Sequence, residues 1–263
     1  MPKLAANVSM MFGEVAFLDR FEAAARCGFK GAEFLFPYAE NAEELGRAVH
    51  ESGLTNVLFN LPPGDADAGD RGLAGMPGRE GEFREALAMA LHYAQATGCK
   101  RLHAMHGIPG PSMEPDECRR VLVENLRFAS QQALPLGVTI LVEALNPRDV
   151  PGYPLNRQHD AFEVVQSVAR ENVRVQFDMY HCQIVEGDVA TTFRELFPWV
   201  GHVQIAGVPG RHEPSIGEVR YEYLLPMLDE VGYEGWVGCE YRPVAGTAQG
   251  LDWAAPYGVG PSC

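Results

Sequence analysis

The sequence has few basic residues, and this shortage excludes several classes of partner. Its 21 lysines and arginines face 35 aspartates and glutamates, which gives a formal net charge of −14 at pH 7. Such a charge repels phosphate backbones and anionic membrane surfaces, so we expect neither nucleic acid nor a membrane as a partner. The chain also lacks any apolar run of the ~20 residues that a membrane-spanning helix requires.

Closely spaced cysteine pairs are missing as well. The six cysteines are Cys27, Cys99, Cys118, Cys182, Cys239 and Cys263. None forms a Cys-x-x-Cys motif, and no signal-peptide pattern follows Met1. The spacing therefore predicts free thiols in a reduced, cytoplasmic protein rather than a disulfide set or a zinc site.

No Gly-x-Gly-x-x-Gly motif follows the first predicted strand, which argues against an open, dinucleotide-binding sheet. The chain instead alternates strand and helix patterns over 263 residues. Eight predicted strands alternate with seven helices, and a Gly or, once, Asn172 follows each helix as a left-handed cap. Strict alternation implies a parallel sheet, and eight strands allow it to close. We predict one α/β domain, a TIM-type (β/α)8 barrel, with an open doubly wound sheet as the alternative.

The apolar patterns set the expected boundaries. The predicted strands are Lys3–Ser9, Gly31–Phe36, Thr55–Leu61, Lys100–His106, Val138–Leu145, Val173–Asp178, His202–Ala206 and Gly235–Tyr241. The predicted helices are Phe17–Ala25, one from Asn41 as cap to Ser52, Glu82–Thr97, Pro115–Leu134, Arg157–Arg170, Val189–Trp199 and Tyr221–Glu230. The tail Pro243–Cys263 has no strand pattern, so we expect it to pack across the barrel or against another subunit.

The connection Pro62–Gly81 is far longer than the two to six residues usual for a loop between strand and helix. It is rich in Gly and Asp and has little apolar content. Because it follows a strand, it is expected at the catalytic mouth of the barrel. We predict a lid that closes over substrate, with a disordered insertion as the alternative.

Polar oxygen donors end four successive predicted strands. The apolar stretch Val138–Asn146 is typical of a buried strand and contains Glu143 near its end. The three following strands carry Asp178, Gln204 and Glu240 at or near their carboxyl ends. A buried ionised carboxylate requires a proton, an ion-pair partner or a metal, and barrel strand ends commonly hold catalytic groups.

These four residues predict a metal site built from oxygen ligands. Carboxylate and amide oxygens without thiolate suit Mg²⁺ or Mn²⁺ better than zinc, and we expect Mg²⁺ first. His181 and His202 lie near enough in sequence to admit a metal that prefers nitrogen. Alternation along the last strand places Glu240 and Gly238 on one face and turns Cys239 toward the helices.

Two carboxylates beside a metal fit a proton transfer next to a carbonyl group. The metal polarises the oxygens of a hydroxy-keto substrate while one glutamate removes a carbon-bound proton, which is later returned to the neighbouring carbon. This chemistry requires no organic cofactor. We expect Arg211 to hold a substrate carboxylate, and His106 and His181 to bond substrate oxygens.

Motifs along almost the whole chain are similar to those of a known family. They lie at Ala6–Gly13, Gly31–Tyr38, Asn60–Asp65, Pro77–Glu80, Leu122–Arg127, Gln176–His181, Gly201–Ala206, Pro209–Pro214 and Gly235–Tyr241. On these motifs the sequence resembles the hydroxypyruvate isomerases of the xylose-isomerase-like TIM barrels.

The resemblance implies reversible conversion of hydroxypyruvate to tartronate semialdehyde, with Glu143 and Glu240 as the acid/base pair. It also implies that His181 and Arg211 touch substrate and that the glycine-rich loop closes over the mouth. The metal-site positions that it implies are Glu143, Asp178, Gln204 and Glu240.

The sequence departs from the family pattern at four positions near these motifs. Gly207 and Val208 replace the Asp and Asn that commonly follow the Gln-Ile-Ala motif. Ala66 replaces an aromatic residue of the lid, and Ala144 replaces a Pro. None of the four is a predicted metal ligand, but Gly207 and Ala66 affect the expected pocket.

Several alternatives remain open on sequence alone. The family includes isomerases of the longer 2-oxo-tetronates, and a ketose 3-epimerase would use the same two glutamates. An abasic-site endonuclease would require a richer zinc cluster and a basic groove, which the net charge disfavours. A non-enzymatic small-molecule binding protein with a vestigial metal site is the remaining class, and a homo-oligomer is left open.

Overall fold

The structure is a computed structural model and describes residues 1–261. Within this range the strands are β1 (Lys3–Asn7), β2 (Gly31–Glu33), β3 (Thr55–Asn60), β4 (Arg101–His103), β5 (Thr139–Glu143), β6 (Val173–Asp178), β7 (Val200–Ile205) and β8 (Trp236–Cys239). The α-helices are α1 (Arg20–Arg26), α2 (Ala42–Glu51), α3 (Glu80–Thr97), α4 (Pro115–Ala133), α5 (Gln158–Val168), α6 (Met179–Val185), α7 (Val189–Leu196) and α8 (Tyr221–Glu230). The 3-10 segments are Phe17–Asp19, Leu134–Leu136, Phe197–Trp199 and Ala248–Tyr257.

The strands form a closed parallel barrel in chain order. Each strand pairs with the next, and β8 pairs with β1 to complete the ring. The helices pack their apolar faces against its outside, as where Phe193 of α7 meets Phe177 of β6 with ring centroids 5.2 Å apart. The predicted TIM-type (β/α)8 barrel is therefore confirmed, and the open sheet is excluded.

Every strand except β6 ends earlier than the apolar patterns predict, and one helix was not predicted. β2 ends at Glu33, β4 at His103 and β5 at Glu143, each two or three residues before the predicted end. Beyond these points apolar side chains are still buried at the mouth, but the backbone no longer forms the hydrogen bonds of a regular strand. The additional helix, α6, begins directly after Asp178.

Most predicted caps are present. Asn41 accepts hydrogen bonds from two backbone N–H groups of the first turn of α2, and Gly98 ends α3 in the left-handed conformation. Two expected caps are wrong. Ala169 and not Asn172 takes the left-handed position after α5, and Gly201 lies inside β7, where a side chain would collide with β6.

The glycine-rich loop is packed against the barrel over its second half. Leu73, Ala74 and Met76 are buried, and Gly72 forms an antiparallel bridge with His106. The C-terminal 3-10 segment lies across the barrel edge, where Trp253 Nε1 donates to the Tyr241 hydroxyl at 3.3 Å. Both segments are thus fixed to neighbouring loops by side-chain burial and hydrogen bonds.

The cysteine prediction holds for four residues. Cys99, Cys118, Cys182 and Cys239 are free thiols. The prediction is wrong for Cys27, which is disulfide-bonded, and the expectation for Cys263 falls outside the described residues. Across residues 1–261, no helix combines the length and apolar character that a membrane crossing requires.

Glu33 occupies the interior of the barrel and requires space on β8. Its side chain is completely buried, and its carboxylate accepts hydrogen bonds from Asn7 and Gln204. A Cβ added at Gly238 would lie 2.3 Å from Glu33 Oε2. Gly238 therefore faces the interior, as predicted, and the absence of a side chain there leaves room for the carboxylate.

We expect Gly238→Ala to lower the free energy of unfolding by about 1–3 kcal/mol, the usual effect of overpacking a core. Urea denaturation measures the change. Gly13→Ala is the matched control, because a Cβ there would meet nothing within 4 Å. Equal stability of the two variants would contradict the packing of Glu33 against Gly238.

Candidate functional site

The barrel brings the predicted strand-end residues to one mouth. Glu143 ends β5, Asp178 ends β6 and Glu240 follows β8, and their exposures are only 4%, 0% and 5%. They lie at or beside a cavity of about 400 Å³. The cavity is lined by Met10, Leu35, Phe36, Asn60, Arg71, His103, Met105, Glu143, Leu145, Asp149, Val150, His181, Arg211, Glu240 and Arg242.

Asp178 is fixed by a local feature that its strand position alone does not reveal. It is the N-cap of α6, and its Oδ1 accepts from the backbone N–H groups of Tyr180 at 2.6 Å and His181 at 3.4 Å. Within the described residues Oδ2 has no hydrogen-bond partner. The same turn therefore holds the carboxylate and presents His181 beside it.

Asn146 determines which ring nitrogen of His181 carries the proton. Asn146 Oδ1 accepts from the backbone N–H groups of Arg148 and Asp149, so the side-chain amide must face His181. His181 Nδ1 then accepts two hydrogen bonds, one from the amide Nδ2 at 2.7 Å and one from the backbone N–H of Asn146 at 3.1 Å. Burial lowers the pKa of His181 well below its usual range, so the ring is neutral. The proton consequently lies on Nε2.

The Nε2–H group of His181 faces the acids of the site. Nε2 lies 3.6 Å from Asp178 Oδ2 and 4.0 Å from Glu143 Oε1. These distances alone would admit His181 as a third metal ligand beside the two carboxylates. A protonated nitrogen cannot coordinate, however, so the hydrogen bonds to Nδ1 make His181 a hydrogen-bond donor instead.

We expect Asn146→Asp to raise the share of His181 rings with the proton on Nδ1, because a carboxylate accepts a hydrogen bond where the amide donates one, while the backbone N–H of residue 146 still favours the Nε2 tautomer. Nitrogen-15 NMR of the histidine rings distinguishes the two tautomers. His106 is an internal control in the same spectrum, since its Nδ1 donates to the Gly107 carbonyl at 3.0 Å. A wild-type His181 with its proton on Nδ1 would contradict the hydrogen-bond pattern.

Arg211 forms ion pairs with acidic side chains of the protein itself. It lies in the left-handed region with φ 55° in the loop after β7. Its Nη2 is 2.7 Å from Glu240 Oε2, and its Nη1 is 3.5 Å from Asp149 Oδ2. The guanidinium carbon also lies 5.0 Å from the ring centroid of Tyr180. Arg211 thus reaches the cavity, as predicted, but its contacts there are with protein groups.

Burial raises the pKa values of all three acids. The pKa of Glu143 lies well above its usual range because of burial and the nearby charges of Glu240 and Asp178. Burial raises the pKa of Asp178 to about 6 and that of Glu240 to about 8, although the Arg211 charge opposes both shifts. Three carboxyl groups therefore share one guanidinium: ionisation of all three would leave an excess of buried negative charge, so without a further cation burial favours their protonated forms.

The acids fit a divalent cation. Glu143 Oε1 and Asp178 Oδ2 are buried without a hydrogen-bond partner anywhere in residues 1–261. Glu143 and Asp178 each have a carboxylate oxygen in a group of possible ligand atoms that lie within 4.8 Å of one another. Unpartnered carboxylate oxygens with excess negative charge are the donors that a hard cation such as Mg²⁺ prefers.

We expect the stability of the metal-free protein to fall as pH rises. Folding raises the pKa of Asp178 from 3.8 to about 6 and that of Glu240 from 4.5 to about 8. The resulting stabilisation is fully present below the unfolded pKa values and is lost as pH rises through the folded values. With ~1.4 kcal/mol per pKa unit, Asp178 alone gives a loss on the order of 3 kcal/mol.

Urea unfolding in the presence of a chelator, at about pH 5 and about pH 8.5, measures the part of this loss that lies between those pH values: about one pKa unit, or ~1.4 kcal/mol, for Asp178, and most of the Glu240 shift. Glu240→Gln, which cannot ionise at this position, should lose less stability over the same interval. Added Mg²⁺ should stabilise the protein more at the higher pH, because it binds the ionised carboxylates. Stability that rises with pH after chelation would contradict the raised pKa values.

Gln204 belongs to an inner polar layer centred on Glu33. Its Nε2 donates to Glu33 Oε1 at 2.8 Å, and its Oε1 accepts from Gln176 at 2.6 Å, which leaves one lone pair for another ligand. His202 Nε2 lies 2.7 Å from Glu33 Oε2 and not at the cavity. Sequence reasoning did not select Glu33, although it ends a buried strand as Glu143 does.

His106 is not brought to the cavity. It lines a separate pocket with Pro109 and Leu155, and its backbone N–H donates to the Tyr153 hydroxyl at 2.8 Å. His103 lines the cavity instead, with Nδ1 3.4 Å from Glu143 Oε2. The predicted role of His106 depended on a β4 that continues to residue 106, whereas the strand ends at His103.

Buried acids at the carboxyl ends of a closed parallel barrel define an α/β barrel protein with a polar small-molecule site at its mouth. Residues 21–257 match the family described as xylose isomerase-like TIM barrel. The chain belongs to this family.

Relatives match nearly the whole chain. One from Cupriavidus necator, named 2-oxo-tetronate isomerase, is 53% identical over 257 residues, or 98% of this chain and 99% of the relative. One from Escherichia coli, named hydroxypyruvate isomerase, is 42% identical over 98% of this chain and 100% of the relative. A solved Brucella melitensis structure, described as a family 2 AP endonuclease, is 50% identical with a TM-score of 0.96 and covers 98% of this chain and 99% of its own.

More distant solved structures share the fold alone. A D-psicose 3-epimerase from Clostridium cellulolyticum is 18% identical with a TM-score of 0.72, over 94% of this chain and 87% of its own.

Proposed function

We propose that the protein is an isomerase that moves a carbonyl group between adjacent carbons of a small hydroxy-keto acid. Full-length relatives named 2-oxo-tetronate isomerase and hydroxypyruvate isomerase, at 53% and 42% identity, support this class. The structural observation that carries the proposal is the pair of buried glutamates, Glu143 and Glu240, that line one cavity. Their raised pKa values suit proton transfer near neutral pH.

Two substrates fit this reaction. Hydroxypyruvate, interconverted with tartronate semialdehyde, is the substrate expected from the sequence. The longer 2-oxo-tetronate is the second candidate, favoured by the higher identity to the Cupriavidus necator relative. Both are 2-oxo acids with a hydroxyl on C3, so the same shift serves both: C3 loses a proton, C2 gains one, and the C3 hydroxyl proton passes to the C2 oxygen.

The residues of the cavity divide the proton transfers between them. Glu240 removes the proton from C3 in its ionised form, which Arg211 at 2.7 Å favours against the burial that raises its pKa to about 8. Glu143, which holds a proton because burial raises its pKa, donates that proton to C2, and exchange with solvent then restores the starting protonation of both glutamates. His181 donates a hydrogen bond from Nε2 to a substrate oxygen, as its tautomer requires.

A divalent cation, Mg²⁺ first and Mn²⁺ second, would be held by the unpartnered oxygens of Glu143 and Asp178, with Gln204 and Glu240 as the remaining predicted ligands. When bound it would polarise the adjacent substrate oxygens and offset the buried negative charge. The carbonyl shift requires no organic cofactor.

The glycine-rich loop is proposed to close over bound substrate. The ion pair between Asp70 and Arg79, at 2.7 Å, and the bridge from Gly72 to His106 hold its base, and the exposed stretch 65–69 is left to move. We further propose a cytoplasmic protein with a small-molecule substrate and no nucleic acid partner, because a net charge of −14 does not suit DNA phosphates.

The test is proton NMR of hydroxypyruvate and 2-oxo-tetronate, each incubated with the protein in D₂O, before and after chelation and Mg²⁺ re-addition. We expect conversion with deuterium incorporated at carbon, and the faster acid identifies the substrate. We expect Glu143→Gln and Glu240→Gln each to lower turnover by at least ~10², because each removes a proton-transfer group.

Glu213→Gln is the matched control, since Glu213 is buried but accepts a hydrogen bond from Val244 N outside the cavity. Its folded form should turn over normally. Normal activity of Glu143→Gln or Glu240→Gln would remove that residue from the mechanism. Exchange at C3 of a neutral ketose, with neither acid converted, would replace the proposal with a 3-epimerase.

A further inference from the structure

The cavity presents an electrostatic problem for an anionic substrate. The chain carries a net charge of −14, and Glu143, Asp149 and Glu240 all line the cavity. These acids repel a carboxylate, so a 2-oxo acid requires cations on the cavity wall. The lining holds three arginines, Arg71, Arg211 and Arg242.

Arg211 is poorly placed to take the substrate carboxylate. Its guanidinium spans Glu240 at 2.7 Å, Asp149 at 3.5 Å and Asp178 at 3.8 Å. A substrate carboxylate bound there would compete with Glu240 for the same N–H group. Loss of that contact would leave Glu240 as an uncompensated buried charge.

The other two arginines are free of such competition. In residues 1–261, neither Arg71 nor Arg242 has a carboxylate within ion-pair distance; Arg71 Nη1 donates only to the carbonyl of Asp70. Their backbones are nevertheless fixed. Arg71 follows Asp70, which is paired with Arg79, and precedes the bridged Gly72, while Arg242 N donates to the Arg211 carbonyl at 2.8 Å.

We propose that Arg71 and Arg242 together bind the substrate carboxylate, a role that the sequence assigned to Arg211. The proposal rests on the proposed function in that the substrate is a 2-oxo acid. Arg71 comes from the glycine-rich loop and Arg242 from the segment after β8, so the carboxylate links the loop to the barrel. Arg211 then remains paired with Glu240, the glutamate that removes the proton from C3.

The test is isothermal titration of glycerate into the full-length protein loaded with Mg²⁺. Glycerate carries a carboxylate and two hydroxyls but no carbonyl to shift. We expect Arg71→Gln and Arg242→Gln each to weaken binding by about tenfold or more, as loss of a charged hydrogen bond does. Arg47→Gln is the control, because the Arg47 side chain is exposed on α2, away from the cavity, and lies 3.8 Å from Glu44.

Wild-type affinity in both Arg71→Gln and Arg242→Gln overturns the proposal, and so does a wild-type protein that does not bind glycerate. Arg242→Lys should retain part of the affinity, since it keeps the charge but loses the bidentate geometry. Glycerate binding that depends on both arginines, in a protein that converts neither 2-oxo acid, would support this carboxylate site while removing the proposed isomerase. Conversion of an acid with undiminished binding in both variants would do the reverse.

Discussion

The burial of four carboxylates at one end of a closed barrel is the constraint on which the site depends. The four carboxylates differ in how many of their oxygens have a hydrogen-bond or ion-pair partner. Glu33 is surrounded by amide and imidazole donors, and Glu240 is paired with Arg211. Glu143 and Asp178 each keep one buried oxygen without a hydrogen-bond partner in the described part of the chain. The two oxygens without a partner mark the place where the proposed cation or substrate would complete the structure.

The side chains of the site are held by backbone features that begin where the strands stop. The first turn of α6 fixes both Asp178 and His181. The turn at Asn146 fixes an amide and, through it, a ring tautomer. Arg211 takes a positive φ that lets its guanidinium return to Glu240. Since these groups lie on short, hydrogen-bonded turns, their positions are set before any ligand arrives, which is the condition for electrostatic preorganisation.

The fold was predictable because alternation and capping are local properties of the sequence. The common location of Glu143, Asp178, Gln204 and Glu240 at one end of the barrel was predictable because each ends or nearly ends a strand, and parallel strand ends must meet. The hydrogen-bond and ion-pair partners of these side chains were not predictable. His103 and His106 are three positions apart, and the residue at which β4 ends determines which of the two lines the cavity. Likewise Arg211 was expected to face substrate, but the distance to Glu240 depends on how the loop after β7 returns to β8, which no periodicity encodes.

The position of Asp178 as the N-cap of α6 bears on how this centre can change. Its two oxygens have separate roles: Oδ1 caps the start of α6, and Oδ2 is buried without a hydrogen-bond partner within the described residues. An asparagine would preserve the cap, because an amide oxygen accepts from the same N–H groups, but would remove the charge. An alanine would remove both and release the turn that carries His181. Evolution or design can therefore alter the charge at this residue independently of the fold only through substitutions that keep an oxygen in the capping position.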